Sequence, residues 1–157
     1  MLSFRGRYSS ARSLYSYGAA TTVGTSQTNA TLLPVSGVTI PKNALGLNSS
    51  MLIFMEFSCP AAAGTTITLT LNDGGGASTI CSFSPSATSA RARVRMGNRN
   101  SLSSQRSSLD STVNVTAVTA VATTTEDTSL DCTLSVLATT GATNNITLET
   151  ILIMVIP

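Results

Sequence analysis

The sequence predicts an all-β fold built as an antiparallel sandwich. Three observations carry that prediction. Apolar and polar residues alternate with period two through most of the chain, and clusters of Gly, Pro, Asn and Asp separate the alternating runs. No window shows the three-to-four-residue period of a helix. At 157 residues the chain is long enough to bury one core without metal or disulfide staples. Thr and Val favour pleated, half-buried surfaces because their β-branched side chains lose little freedom there.

Taken in order, residues 1–31 read as an extended N-terminal arm outside the main fold. Residues 1–17 hold Arg5, Arg7 and Arg12 with no acid, together with Phe4, Tyr8, Tyr15 and Tyr17, and a Gly/Ala/Thr/Ser/Asn stretch follows. Residues 32–157 form the body. Within it, residues 51–57 are apolar at nearly every position. That suits a strand buried on both faces, at the centre of a sandwich or at a subunit interface. Residues 65–72 alternate cleanly, with Ile67, Leu69 and Leu71 on one face and threonines on the other. Asp73-Gly74-Gly75-Gly76 is a hairpin turn, since Gly supplies the positive φ that tight turns need. A single carboxylate with no Lys or helix behind it makes neither a calcium nor a phosphate loop. A strand resumes over residues 79–83. Over residues 89–97, Ala90, Ala92, Val94 and Met96 face one way and Arg91, Arg93 and Arg95 the other. Residues 112–121 and 130–138 alternate again, and residues 151–156 are apolar on both faces. The result is about eight strands at spacings of roughly 8–15 residues, a count that suits a jelly roll, two sheets of a β-sandwich. An immunoglobulin-like sandwich is the runner-up, without the usual core Trp and paired cysteines.

Composition narrows the function. Charged residues make up 10% of the chain, well under the usual quarter, so the chain is expected to expose weakly charged surface or to hide surface against partners, a hint of assembly. Histidine is absent, which removes the usual general base near neutral pH and every Ser-His or Cys-His pair. The seven carboxylates, Glu56, Asp73, Asp110, Glu126, Asp127, Asp131 and Glu149, are scattered; only Glu126 and Asp127 adjoin, in a Thr-rich stretch that reads as a loop. No catalytic residue, small-molecule substrate or cofactor is therefore expected, and the chain reads as a non-enzyme. Cys59, Cys81 and Cys132 lie far apart with no CxxC spacing. They support no zinc or other metal site and are expected as buried thiols outside any disulfide. Four N-x-[ST] triplets, at Asn29, Asn48, Asn114 and Asn145, are what a chain rich in Ser and Thr carries by chance. Residues 151–156 are too short an apolar run to span a membrane, and no signal-peptide core opens the chain, so no membrane partner is expected.

Three short segments, in order, carry a resemblance. Ile40-Pro41-Lys42-Asn43-Ala44-Leu45-Gly46 is similar to the IPAGxLG turn that opens the jelly-roll domain of bacteriophage head-fibre, decoration and tail-fibre proteins, with Lys42-Asn43 where that pattern has Ala-Gly. Asn98-Arg99-Asn100-Ser101-Leu102-Ser103-Ser104-Gln105 resembles the Asn/Ser/Gln loop in the middle of such domains. Asp127-Thr128-Ser129-Leu130 before a strand, and Thr147-Leu148-Glu149 entering a hydrophobic last strand, complete it over residues 31–157. The resemblance implies a virion protein, commonly a homotrimer, made in the host cytoplasm. With neither a long shaft nor a receptor tip, the chain looks most like a capsid decoration (cement) protein. Its partners would be a major capsid protein or neighbouring virion subunits. The alternatives are a fibre-head or lectin-like receptor-binding module and a single-jelly-roll major capsid protein. A lectin reading has little to grip a sugar with: Phe54, Phe57 and Phe83 lie on strand patterns that look buried, leaving the loop of residues 98–105.

Two constellations are candidate sites. Phe4, Arg5, Arg7, Tyr8, Arg12, Tyr15 and Tyr17 are residue types enriched at protein interfaces, and the arm is expected to dock on a shell or a neighbouring subunit. A solvated tail is the plain alternative. A mitochondrial transit peptide is another, disfavoured by the arm's poor helical amphipathicity. Arg91, Arg93 and Arg95, with Arg99 and Arg106 beyond them, form the second. They are expected to be a solvated, aggregation-resisting strand face or inter-subunit partners of Glu126, Asp127 or Asp131. A net charge of +2 and the lack of interleaved aromatics argue against nucleic acid as a partner.

Overall fold

The structure, a computed structural model, describes residues 11–18, 20–34, 36–59, 64–119 and 121–157. Among them the regular elements are all strands: β1 (Arg12–Tyr17), β2 (Thr21–Val23), β3 (Ala30–Thr31), β4 (Val38–Ile40), β5 (Ser50–Ser58), β6 (Thr66–Asn72), β7 (Ser78–Pro85), β8 (Ser89–Asn98), β9 (Gln105–Val113), β10 (Val115–Thr119), β11 (Val121–Thr124), β12 (Cys132–Thr139) and β13 (Ile146–Ile156). They make two antiparallel sheets packed as a β-sandwich, the fold class the alternation predicts. The larger sheet runs β1-β13-β5-β8-β9-β11, with β2 also on β13; the smaller runs β10-β7-β6-β12-β3, with β4 also on β12. The chain's last strands return to its earlier ones, β13 to β5 and β12 to β6, while β6–β7 and β8–β9 are direct hairpins. The Asp73-Gly74-Gly75-Gly76 turn joins β6 to β7 as expected, with Gly74 and Gly76 at φ of 105° and 149°.

The core lies between the sheets. Met51, Ile53, Met55 and Phe57 of β5, Val94 and Met96 of β8 and Ile151 and Ile153 of β13 face Ile67, Leu69, Leu71, Phe83, Leu134 and Val136, all essentially inaccessible to water. Phe57 and Phe83 meet edge to face, centroids 5.8 Å apart, the arrangement the ring quadrupoles favour.

Three features depart from the sequence reading. Residues 12–31 are not outside the fold. β1 pairs with β13 from Arg12 opposite Val155 to Tyr17 opposite Ile151, β2 pairs with β13 at Ile146–Leu148, and β3 pairs with β12. Without them, the outer edges of β12 and β13 would present unpaired N–H and C=O groups. The single strand expected over residues 112–121 breaks at Asn114, whose φ of 56° leaves the β region. Its first part belongs to β9, β10 crosses to the smaller sheet beside β7, and β11 returns to β9. The first half of β9 lies where no strand is expected, because its inward residues Gln105 and Ser107 are polar and nonetheless buried.

Candidate interaction face

Period two decides what the outside of the larger sheet carries. With Met51, Ile53, Met55 and Phe57 turned inward, Leu52 and Phe54 must turn outward. Phe54, whose strand pattern looks buried, therefore stands on the outer face. Across from β5, Leu52 lies opposite Met154, Phe54 opposite Leu152 and Ser50 opposite Ile156. These five apolar residues are half-buried and form one strip along the β5–β13 seam. The both-face apolar runs thus have one face in the sandwich core and the other outward.

The next strand frames the strip. Leu52 is opposite Arg95, Phe54 opposite Arg93 and Glu56 opposite Arg91. Arg91 Nε lies 2.8 Å from Glu56 Oε1, which leaves Glu56 Oε2 to accept the Thr150 hydroxyl at 3.4 Å. Arg93 Nη2 lies 2.6 Å from Asp110 Oδ2, and its guanidinium stands 5.9 Å above the centre of the Phe54 ring. Arg95 donates from Nη2 to Ser50 Oγ at 3.1 Å. The arginine column thus lies down against the sheet, held by its own neighbours. With side chains 70% and 46% exposed, the Arg91–Glu56 pair contributes little to stability; its effect is to neutralise the face. A shallow depression of about 410 Å³ lies between Leu52, Ile156, Arg93, Arg95 and Asp110.

The other predicted residues fall elsewhere. Phe4, Arg5, Arg7 and Tyr8 lie outside the described residues. Arg12 is exposed at the start of β1. Tyr15 and Tyr17, opposite Ile153 and Ile151, pack against the core cluster, with stacked rings 6.4 Å apart. They close the side of the sandwich, and burial, with Tyr17 beside it, raises the pKa of Tyr15 above its ordinary value. Arg99 is in the β8–β9 loop, away from the strip, its amide donating to Ser104 O at 2.9 Å.

The acids expected to reach a neighbouring subunit are tied to their own backbone. Glu126 accepts the Asp73 amide at 2.8 Å and the Ser78 hydroxyl. Asp127 accepts the Ser129 amide at 2.9 Å, and Asp131 the Lys42 amide at 2.7 Å. Asp73 accepts the amides of Asp127 and Gly75, and these bonds hold its carboxyl below the usual range.

Sequence reasoning passed over a buried polar network under the loop of residues 98–105. Asn98 Nδ2 donates to Gly46 O at 2.9 Å and Thr128 Oγ1 at 3.0 Å; Gln105 Nε2 donates to Asn98 Oδ1 at 3.1 Å and Leu102 O at 2.9 Å. This network holds the loop to residues 125–131. The three cysteines are buried and none forms a disulfide. Burial pushes the thiols of Cys81 and Cys132 up to about 11, the carboxylates near Cys132 adding to its rise. Among the described residues no group of three or more His, Cys, Asp or Glu is placed to hold a metal. No helix among them is long and apolar enough to cross a membrane. Compared with models of known protein families the chain matches none, and a search of curated proteins finds no match.

Proposed function

We propose that this chain is a non-enzymatic structural subunit of a virus or bacteriophage particle, a capsid decoration (cement) protein. The observation that carries the reading is the outward strip of Leu52, Phe54, Leu152, Met154 and Ile156, framed by arginines. A face apolar at its centre, with Arg and Ser around it, has the anatomy of a protein interface. Its five apolar side chains are half-buried and contiguous, and contiguous apolar surface facing outward marks interaction sites. The resemblance of residues 31–157 to phage jelly-roll domains supports the virion setting. In this reading Phe4, Arg5, Arg7, Tyr8 and Arg12 anchor the subunit on the shell, and buried surface across capsomer boundaries resists outward pressure. An oligomer would bring several anchors at once and raise avidity without new contacts.

The test is co-sedimentation of the purified chain with shells that lack it, beside a variant without residues 1–10. Deletion as far as residue 30 would also remove β1 and β2 and so would test folding instead. The expected result is binding by the full chain and loss of binding by the truncated one, with unchanged circular dichroism. Binding by both would overturn the anchor. Spontaneous assembly of closed shells would make the chain a major capsid protein, and a clear hit on a glycan array without shell binding would make it a receptor-binding module.

A further inference from the structure

We infer that the outward strip is covered by the same strip of a second copy of this chain, so that the protein is a homo-oligomer held sheet against sheet. This rests on the structural-subunit reading and names the partner of its face. Charge is the first reason. Glu56 pairs with Arg91 and Asp110 with Arg93, while Arg95 donates to the neutral Ser50 hydroxyl, so the face supplies counter-charges for two of its three arginines. Desolvating an already paired arginine costs less than stranding an unpaired one.

Geometry is the second. On either side of the β5–β13 seam, β8 carries the arginines and β1 carries exposed Ser13 and Ser16, opposite Met154 and Leu152. A rotation axis parallel to the strands along that seam sets Leu52, Phe54, Leu152 and Met154 against their counterparts. The same rotation brings the arginine column of each copy over the small Ser13 and Ser16 of the other. No like charges are opposed, and long side chains meet short ones. An axis across the strands would stack arginine on arginine, so the face itself selects the first arrangement.

Equilibrium sedimentation of the full chain is the experiment, with Leu152→Glu and Phe54→Arg as variants and circular dichroism as the check on folding. The expected result is an oligomer whose dissociation constant rises about 30-fold or more in each variant, the loss typical of a central anchor. A second measurement does not depend on either substitution. Met154→Cys should be linked between copies by a short bis-maleimide, whereas Thr133→Cys, exposed on the opposite sheet, should stay unlinked. A monomeric wild-type chain at tens of micromolar, an oligomer that both folded variants leave intact, or linkage at residue 133 alone would overturn the inference. A monomer that still binds shells would sink the inference and leave the decoration reading standing. An oligomer that Leu152→Glu dissolves but that binds no shell would do the reverse.

Discussion

Gln105 is wholly buried, and both ends of its amide are occupied: Nε2 by Asn98 Oδ1 and Leu102 O, Oε1 by the Thr124 hydroxyl at 3.1 Å. Leucine there would keep the volume and leave two buried polar groups, Asn98 Oδ1 and the Thr124 hydroxyl, without partners, while Leu102 O keeps the Thr128 amide and hydroxyl. Gln105→Leu should therefore destabilise the fold by about 2–3 kcal/mol, read from the urea midpoint, even though it adds apolar surface. The thiols give a pH dependence of opposite character. In the folded chain Cys81 and Cys132 keep their protons to about 11, against an ordinary value of 9.0. The unfolded chain releases those protons first, so stability present below 9.0 falls as pH rises from there to about 11. A Cys81→Val variant should show a shallower alkaline decline in its urea midpoint than the wild type. At about pH 8 both thiols should react with a thiol reagent only as fast as the fold opens.

At the scale of elements, Asn114 divides a run that alternation alone would leave whole. Its φ of 56° is one that Asn tolerates and a β-branched residue does not. Its side-chain amide donates to Ser89 O at 2.9 Å, and its carbonyl accepts the Ser86 amide at 2.8 Å. Asn114→Val should cost about 1–2 kcal/mol. The cost should appear first as faster hydrogen exchange in β10, whose pairing with β7 depends on this corner. The strands legible from the sequence, β5, β6, β7, β8, β12 and β13, are those whose inward positions are mainly apolar. β2 to β4 were not legible as strands, being two or three residues long, and β1 was hidden in an Arg/Ser/Tyr segment; all four are defined by their partners. The start of β9 was hidden because Gln105 and Ser107 are polar residues in core positions, satisfied by atoms distant in sequence.

For the whole molecule, the two outer faces differ in kind. The smaller sheet turns out Thr66, Thr68, Thr70, Thr133 and Ser135, hydroxyls suited to water; the larger turns out the apolar strip and its arginines. The second carries a continuous apolar strip along a strand seam; the most exposed large apolar side chains, Leu47, Val113, Val118, Val121 and Leu130, lie outside that strip. Because the strip is apolar and two of its three flanking arginines are paired with carboxylates, added sulfate should strengthen association. Moderate sodium chloride should leave it nearly unchanged. Sedimentation across a salt series checks this; dissociation by salt would assign the contact to the arginine column instead of the strip. Of the residues singled out beforehand, Arg91, Arg93 and Arg95 do share this face. Tyr15 and Tyr17 turn to the core because their register opposite Ile153 and Ile151 requires it.

What the sequence determined by itself was whatever repeats locally: the all-β class, the hairpin at Asp73-Gly74-Gly75-Gly76, and the opposite facing of alanines and arginines along β8. Each follows from the two-residue period of a strand or from the φ that Gly permits. Tertiary structure decided what depends on partners far apart in the chain. It placed β13 beside β5, so that two separate apolar runs merge into one strip, and drew residues 12–31 onto the edges of β12 and β13. It also gave Glu126, Asp127 and Asp131 hydrogen bonds from the amides of Asp73, Ser129 and Lys42. Strand alternation states which residues share a face, but only the pairing of strands brings two such faces together.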